Sequence, residues 1–288
     1  MSFKDTFFSK NNSLNCRGKL LDLSQPRIMG ILNITPDSFY DGGRYLSDNE
    51  IITQAERMLD EGADILDIGG ISTRPGAKIL NEKEEIDRLR PVLRLIRTKF
   101  PDAILSVDTF RSAIARFAVT EYGVDMINDI SGGEMDRDMF QELAGLQVPY
   151  IIMHMRGDPE TMQSLTDYDD LVGEMTAYFS EKVKQLTELG IKDIVIDPGF
   201  GFSKTIDQNY FLLKHLHHFQ IFELPVMAGV SRKSMIYKTL EATPDDALNG
   251  TTVLHTIALL QGANLLRVHD VKEAIEAISL VEKYQQAM

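Results

Sequence analysis

Four short apolar runs in this chain stop at a carboxylate or an amide. Asn33 follows Ile28-Met29-Gly30-Ile31-Leu32, Asp108 follows Ala103-Ile104-Leu105-Ser106-Val107, Asn128 follows Met126-Ile127, and Asp197 follows Ile194-Val195-Ile196. A carboxylate at such a position can accept a pair of N–H bonds from an amidine-like ring edge, as it does from a guanidinium, and an Asn adds one donor and one acceptor. Asp108 equally suits a cap for the helix after Thr109, and Asp197-Pro198-Gly199 equally suits a plain turn. Two further runs end in cations. Ser231-Arg232-Lys233-Ser234 follows Val226 to Val230 and opens a helical pattern, so hydroxyls, cations and backbone N–H groups are expected to converge there on an anion. Arg267 and His269 alternate at the end of the last apolar run and therefore share a face. An Arg at the end of a buried strand needs a partner.

Residues that end strands act together only if the strands bring their ends together. Helical periodicity fills residues 50–61, 82–99, 111–122, 136–144, 169–189, 209–217, 245–260 and 271–284, and short β-rich runs lie between them at 28–32, 65–68, 104–107, 126–127, 150–153, 194–196, 226–230 and 265–268. About eight strands, each followed by a helix and each reading as a continuous apolar run, predict a closed parallel (β/α)8 TIM barrel, an α/β fold whose chemistry sits at the C-terminal mouth. A doubly wound open sheet is the structural alternative, but no Gly-x-Gly-x-x-Gly follows the first strand. Residues 26–288 make one barrel domain in this reading. Residues 1–25 form an N-terminal extension in which Leu20-Leu21-Asp22-Leu23 is expected to close the barrel bottom as part of a hairpin.

At 288 residues and 43% hydrophobic, the chain has the size of one barrel and no composition typical of disorder. A net charge of -13 disfavours nucleic acid and anionic membrane as partners, so an anionic substrate needs a local basic cluster. The single cysteine, Cys16, excludes an internal disulfide and a CxxC site. No apolar leader or membrane-length stretch is present, and a cytoplasmic protein is expected.

Two long loops, Asn33-Ile34-Thr35-Pro36-Asp37-Ser38-Phe39-Tyr40-Asp41-Gly42-Gly43 and Gly69-Gly70-Ile71-Ser72-Thr73-Arg74-Pro75-Gly76-Ala77, suit mobile lids over the mouth. Met153 points opposite His154 and could floor a planar ligand, although a core Met is commoner; His154 could line the site or pack locally. His215, His217 and His218 sit on a polar helix end without carboxylates, where solvated side chains are expected rather than a metal site.

The ordered set Asn33-Ile34-Thr35-Pro36-Asp37-Ser38-Phe39, Ser72-Thr73-Arg74-Pro75-Gly76, Val107-Asp108-Thr109, Ile127-Asn128-Asp129, Asp197-Pro198-Gly199, Ser231-Arg232-Lys233-Ser234 and Arg267-Val268-His269 resembles the dihydropteroate synthase family of pterin-binding barrels, from about Pro26 onward. These enzymes join 6-hydroxymethyl-7,8-dihydropterin diphosphate to p-aminobenzoate and release pyrophosphate. The resemblance implies that Asp108, Asn128, Asp197 and Lys233 hold the pterin ring, with Met153 beside it, and that Thr73, Arg267 and His269 hold the diphosphate. It places Asn33 at or near Mg²⁺, gives the p-aminobenzoate pocket to Phe39, Arg74, Pro75 and Ser234, and puts Asp41 in the first mobile loop. The catalytic set it implies is Asp41, Arg74, Asp108, Asp197 and Lys233, acting in an SN1-like transfer. A homodimer through helices late in the barrel is implied as well, with 253–260 apolar enough to take part or equally to cover the barrel; sulfonamides mimic p-aminobenzoate in this family, and the chain reads as either a sensitive enzyme or a resistant relative, the lack of an insertion after Ser234 favouring the former. Two positions depart from the family pattern: Ile71 stands where Glu is common, and Ser203 where a small residue, often Gly, is usual. The alternatives are a pterin-binding methyltransferase barrel, which would not need the cationic strand ends, and a catalytically silent pterin-binding paralogue.

Overall fold

The apolar runs anticipated as buried strands are strands, because their side chains are taken up on both faces of a closed sheet. The structure is a computed structural model that describes residues 12–34, 47–71 and 80–287. A two-stranded antiparallel hairpin, β1 (Ser13–Cys16) and β2 (Lys19–Asp22), precedes eight parallel strands: β3 (Arg27–Asn33), β4 (Ile65–Gly69), β5 (Ile104–Asp108), β6 (Met126–Asp129), β7 (Tyr150–Met153), β8 (Ile194–Asp197), β9 (Met227–Ala228) and β10 (Leu265–Val268). They are hydrogen-bonded in the order β8-β7-β6-β5-β4-β3-β10-β9, and a parallel bridge between Ile196 and Val226 joins β8 to β9 and closes the barrel.

The helices between strands are α1 (Asp48–Asp60), α2 (Glu82–Lys99), α3 (Ser112–Tyr122), α4 (Met139–Leu146), α5 (Leu171–Glu188), α6 (Ile206–Lys214), the single turn α7 (Ser234–Tyr237), α8 (Leu248–Leu260) and α9 (Val271–Gln286). Reciprocal capping boxes start three of them, at Ser47 with Glu50, Asn81 with Glu84 and Thr205 with Gln208. Outward-facing strand residues such as Leu66, Val107, Ile127, Ile152 and Ile196 pack on the helices.

Inside the barrel, polarity changes along the axis. Its lower layer is apolar, built from Met29, Ile65, Met126, Ile151, Val195, Met227 and Leu265, and the hairpin seals it with Leu14, Cys16, Leu21 and Leu23. The hairpin expected from Leu20-Leu21-Asp22-Leu23 is thus a plug at the N-terminal end, opposite the mouth. Burial among apolar neighbours pushes the Cys16 thiol up to about 12, as suits an inert packing residue. The inward positions above this layer, two or four residues later along their strands, carry Asp67, Ser106, Asp108, Asn128, Asp197 and Arg267.

Candidate active site

The strand register decides which of these side chains meet. Asn33, Gly69, Asp108 and Asn128 are successive partners across β3, β4, β5 and β6 and share one face. Gly69 is the empty position in that row: a Cβ there would stand 3.0 Å from Asn33 Oδ1, so the missing side chain is what lets the Asn33 amide lie across β4 toward Asp108. Asp108 does not cap α3, whose first turn is instead served by Asp136, 2.7 Å from the Ser112 N–H. It faces the axis and accepts from Arg267 Nη2 at 2.8 Å. The same guanidinium donates from Nε to Asp67 Oδ2 at 2.7 Å, and Asn128 Nδ2 donates to that oxygen at 3.1 Å.

Two carboxylates therefore share one cation inside the barrel. Burial is the main reason the Asp108 carboxyl is pushed up to about 7; Arg267 opposes the rise, and Asp67, Asp129 and Glu85 add to it. Burial alone would weaken the Arg267 charge, but Asp67 and Asp108 more than offset it and hold the guanidinium firmly protonated.

Asp197 ends β8 beside Met153, its register partner on β7. The turn reading of this residue holds, since its Oδ1 accepts the Gly199 N–H at 2.8 Å, and its buried carboxylate also interacts with the charge of Lys233. Burial raises the Asp197 carboxyl while Lys233 pulls it back, and burial lowers Lys233 to about 8 against the pull of Asp197. Lys233 reaches this place because Gly201 and Gly229 leave its path clear, 3.3 Å from Cδ and 3.8 Å from Nζ measured from an added Cβ. Its ammonium donates to the Phe200 carbonyl and lies 4.8 Å from the centre of the Phe202 ring. Met153 is buried in an apolar wall with Ile71, Phe110, Ile130, Met155 and Met162, with Phe202 packed against it. Ile71 thus contributes packing where the family pattern commonly has an acid.

The cationic corner is narrower than the sequence suggested. Ser231 Oγ lies 3.0 Å from His269 Nδ1 and accepts the His269 N–H at 3.2 Å, so Ser231 and His269 form one unit next to Arg267. Arg232 does not join them. It turns outward to a two-point ion pair with Asp270, at 2.8 Å from both Nε and Nη2, and its N–H is taken by Thr251 Oγ1. The Lys233 N–H is taken by the Val230 carbonyl. The helix that Ser234 opens is a single turn, with little aligned dipole to offer an anion. Side chains, not a helix end, carry the positive charge here. Ser234 itself is half-buried at the start of α7.

Phe39, Asp41, Thr73, Arg74 and Pro75 lie outside the described residues. Two charged residues that sequence reasoning passed over belong to the site or its support. Asp67 had a signal, a carboxylate in the middle of the run Ile65-Leu66-Asp67-Ile68. Lys204 had less of one: it is buried, lowered to about 7 by that burial, and its ammonium donates to the carbonyls of Gly199 and Phe202 at 3.1 and 3.0 Å, stapling the loop that carries Asp197. His154 turns away from the axis to pack on Tyr178 and Phe179, with Nδ1 3.2 Å from Lys204 Nζ, and burial followed by Lys204 lowers it to about 2. It remains a neutral packing residue at physiological pH. His215, His217 and His218 bond to Phe211, Gln261 and His215 on the surface, and among the described residues no group of three His, Cys, Asp or Glu side chains is arranged to hold a metal.

The model of the family described as pterin binding enzyme matches residues 29–269, from the first barrel strand to the histidine of the cationic corner. The chain belongs to the pterin-binding enzyme family. The dihydropteroate synthase of Escherichia coli K12 is 42% identical to it over 271 residues, 93% of this chain and 95% of the relative. Among solved structures, a Yersinia pestis dihydropteroate synthase in complex with a sulfonamide drug has a TM-score of 0.90 and 42% identity, covering 96% of this chain and 100% of the other. A Xanthomonas albilineans dihydropteroate synthase in complex with 7,8-dihydropteroate has a TM-score of 0.85 at 35% identity, again covering 96% and 100%. Within this pterin-binding enzyme the matched strands are the ones that carry Asp67, Asp108, Asn128, Asp197 and Arg267.

Proposed function

We infer that the chain is a dihydropteroate synthase, condensing 6-hydroxymethyl-7,8-dihydropterin diphosphate with p-aminobenzoate to give 7,8-dihydropteroate and pyrophosphate. The observation that carries the reading is the juxtaposition, in one barrel mouth, of a buried acceptor set and a cationic corner. Asp108, Asp197 and the Asn128 amide suit the N–H-rich edge of a 2-aminopyrimidinone ring, Lys233 suits its acceptors, and Met153 with Phe202 supplies an apolar wall for its face. Arg267 with Ser231 and His269 suits the diphosphate on the ring's methylene. A methyltransferase would have no use for that corner, which favours the synthase. The 42% identity over 93% of the chain supports the same conclusion.

The residues suit a dissociative transfer. The methylene C–O bond breaks first and its electron pair leaves with pyrophosphate; the electron-rich dihydropterin delocalises the cation, which the Asp108 and Asp197 carboxylates stabilise electrostatically. Arg267 and His269 take up the charge growing on the leaving group. The arylamine nitrogen then attacks the methylene carbon and loses its proton to water. That amine is neutral near pH 7, so no strong base is needed. Thr73, Arg74, Pro75, Phe39 and Asp41, with Ser234, complete the phosphate and p-aminobenzoate sides in this reading.

Mg²⁺ fits the donors present. The Asn33 amide oxygen is a hard ligand at the mouth, and an ion that keeps most of its waters and takes its other oxygens from a diphosphate needs little more from the protein. Bound there, the ion would neutralise charge on the leaving pyrophosphate. A homodimer is proposed through α8 and α9, where Val253, Leu260, Leu280 and Tyr284 are exposed. A cytoplasmic location is proposed from the lone buried thiol; among the described residues no helix is long and apolar enough to cross a membrane. Sulfonamide sensitivity is proposed from the drug complex of the Yersinia relative.

The test is turnover by purified protein given the pterin diphosphate and Mg²⁺, with and without p-aminobenzoate. Pyrophosphate and dihydropteroate formed one for one, only with p-aminobenzoate, is the expected result. Pterin binding without product would instead mark a silent binder, and a requirement for a methyl donor would mark a methyltransferase.

A further inference from the structure

Asp67 is fully buried, sits one inward position below the mouth, and bonds to one residue of the ring-reading set, Asn128, and one of the cationic corner, Arg267. All of its bonding runs through one oxygen. Oδ2 accepts from Arg267 Nε and from Asn128 Nδ2, while Oδ1 is buried with no bonded partner among the described residues. Each of those two bonds fixes the face that a different ligand-contacting side chain turns to the mouth. With one Nδ2 hydrogen held by Asp67, the Asn128 amide is fixed in orientation and turns its Oδ1 toward the mouth's donors, with its second Nδ2 hydrogen still able to donate. With Nε spent on Asp67, Arg267 has only its Nη edge left, and that edge is held by Asp108.

We propose that Asp67 is the positioning residue of this site: it pivots Arg267 and orients Asn128, so that a pterin ring arriving at Asp108 releases the Arg267 Nη edge to the diphosphate without setting the guanidinium loose. The proposal rests on the synthase reading and deepens it. The physical logic is an exchange of partners. In the ligand-free barrel, Asp67 and Asp108 both neutralise Arg267. When ring N–H groups engage Asp108, the Asp108–Arg267 bond is the one that must yield, because the bond to Asp67 lies deeper and competes with no ligand group. Arg267 then carries a pivot at Nε and two free Nη donors in the plane a phosphate needs. Without the pivot, Asp108 becomes the one carboxylate still bonded to the buried guanidinium among the described residues and holds it against both ligands.

The test uses the whole chain with Asp67→Asn, which is isosteric. Affinities for 6-hydroxymethylpterin and for inorganic pyrophosphate with Mg²⁺ are measured by calorimetry across pH 5.5 to 8.5 (chosen to bracket the Asp108 midpoint), with unfolding temperature as the control for folding. The groups facing Asp108 are Asp67, Asp129, Glu85 and Arg267, and only Asp67 is altered. Folded Asp67→Asn is expected to bind each ligand about tenfold or more weakly, the size expected when one charge-assisted bond is lost. The acid midpoint of pterin binding is expected to move to lower pH, because a like charge beside Asp108 is gone. A merely structural role would lower the unfolding temperature and leave both affinities of the folded variant unchanged at pH 8. Unchanged affinities there would overturn the proposal. If the variant does not fold, the wild-type structure with 6-hydroxymethylpterin decides: Asp67 must keep Arg267 and Asn128 while the Asp108–Arg267 bond opens, and a complex in which Asp67 releases either partner overturns the pivot. Failure of the synthase reading is distinguishable, since wild-type protein would then form no dihydropteroate from the pterin diphosphate and p-aminobenzoate, whatever its affinity for pterin.

Discussion

Asp108 gives the most quantitative consequence. It must be ionised to accept N–H bonds from a ring edge, yet its carboxyl is raised to about 7, by burial first and by Asp67, Asp129 and Glu85, with Arg267 opposing. For a carboxyl whose folded value lies above its unfolded one, ionisation costs folding free energy: the penalty is absent near pH 4, grows as pH rises toward 7, and is constant above it. A ligand that satisfies the ionised form relieves that penalty, so ring binding should expel a proton below pH 7. Two units below the midpoint about 1% of the group is ionised, which corresponds to an affinity loss of about 100-fold, or roughly 2.7 kcal/mol, between pH 8 and pH 5. Lys233, lowered to about 8 by burial, supplies the opposite limb, because its proton and with it the attraction for ring acceptors are lost above that pH. The assay is calorimetric titration with 6-hydroxymethylpterin at half-unit pH steps, on wild type, Asp108→Asn and Lys233→Met. A bell is expected, with the acid limb missing in the first variant and the alkaline limb missing in the second. A flat profile from pH 5 to 8, or an acid limb that survives in Asp108→Asn, would refute the assignment of the titrating group.

Three further outcomes follow from the same geometry. Lys233→Met removes a charge-assisted donor and should weaken pterin binding about 10- to 150-fold, equivalent to roughly 1.5–3 kcal/mol, and should lower the unfolding temperature, since Asp197 is left buried without its main counter-charge. Ser203 has a positive φ of 46° and its Oγ accepts the Arg156 N–H at 2.9 Å; Ser203→Ala loses the bond and keeps the strain, so it should be less stable than Ser203→Gly by about 1 kcal/mol in urea unfolding. Leu14→Ala opens a cavity in the barrel plug and should cost about 2–5 kcal/mol of stability with no change in pterin affinity, because the plug and the mouth are at opposite ends.

Much of this was legible from residue order. Strands buried on both faces read as apolar runs, and the residues that stop them, Asn33, Asp108, Asn128 and Asp197, do turn inward to one mouth. Arg267 turns inward as its strand position requires, while His269, one residue past the end of β10, bonds to Ser231. Boundaries were harder: α6 begins at Ile206, not 209, because the Thr205–Gln208 capping box lies upstream of the apolar period, and α4 begins at Met139 because Asp136 is spent on the turns that lead into α3 and α4. Asp67 is less legible because a mid-strand carboxylate reads as part of its apolar run, although a charge in that place demands a buried cation from far along the chain, and Arg267 answers it 200 residues later. Arg232 was misplaced because adjacent residues in a turn need not share a direction; Asp270, one residue beyond His269, drew it outward.

The most direct test of the central claim, that the acceptor set and cationic corner of this mouth are where the chemistry takes place, is single-turnover formation of dihydropteroate by wild type and by folded Asp197→Asn at saturating pterin diphosphate and p-aminobenzoate. Product from wild type, with a rate in the variant reduced about 100-fold or more by loss of the cation-stabilising carboxylate, is the expected result. Product at a comparable rate from both would contradict the account.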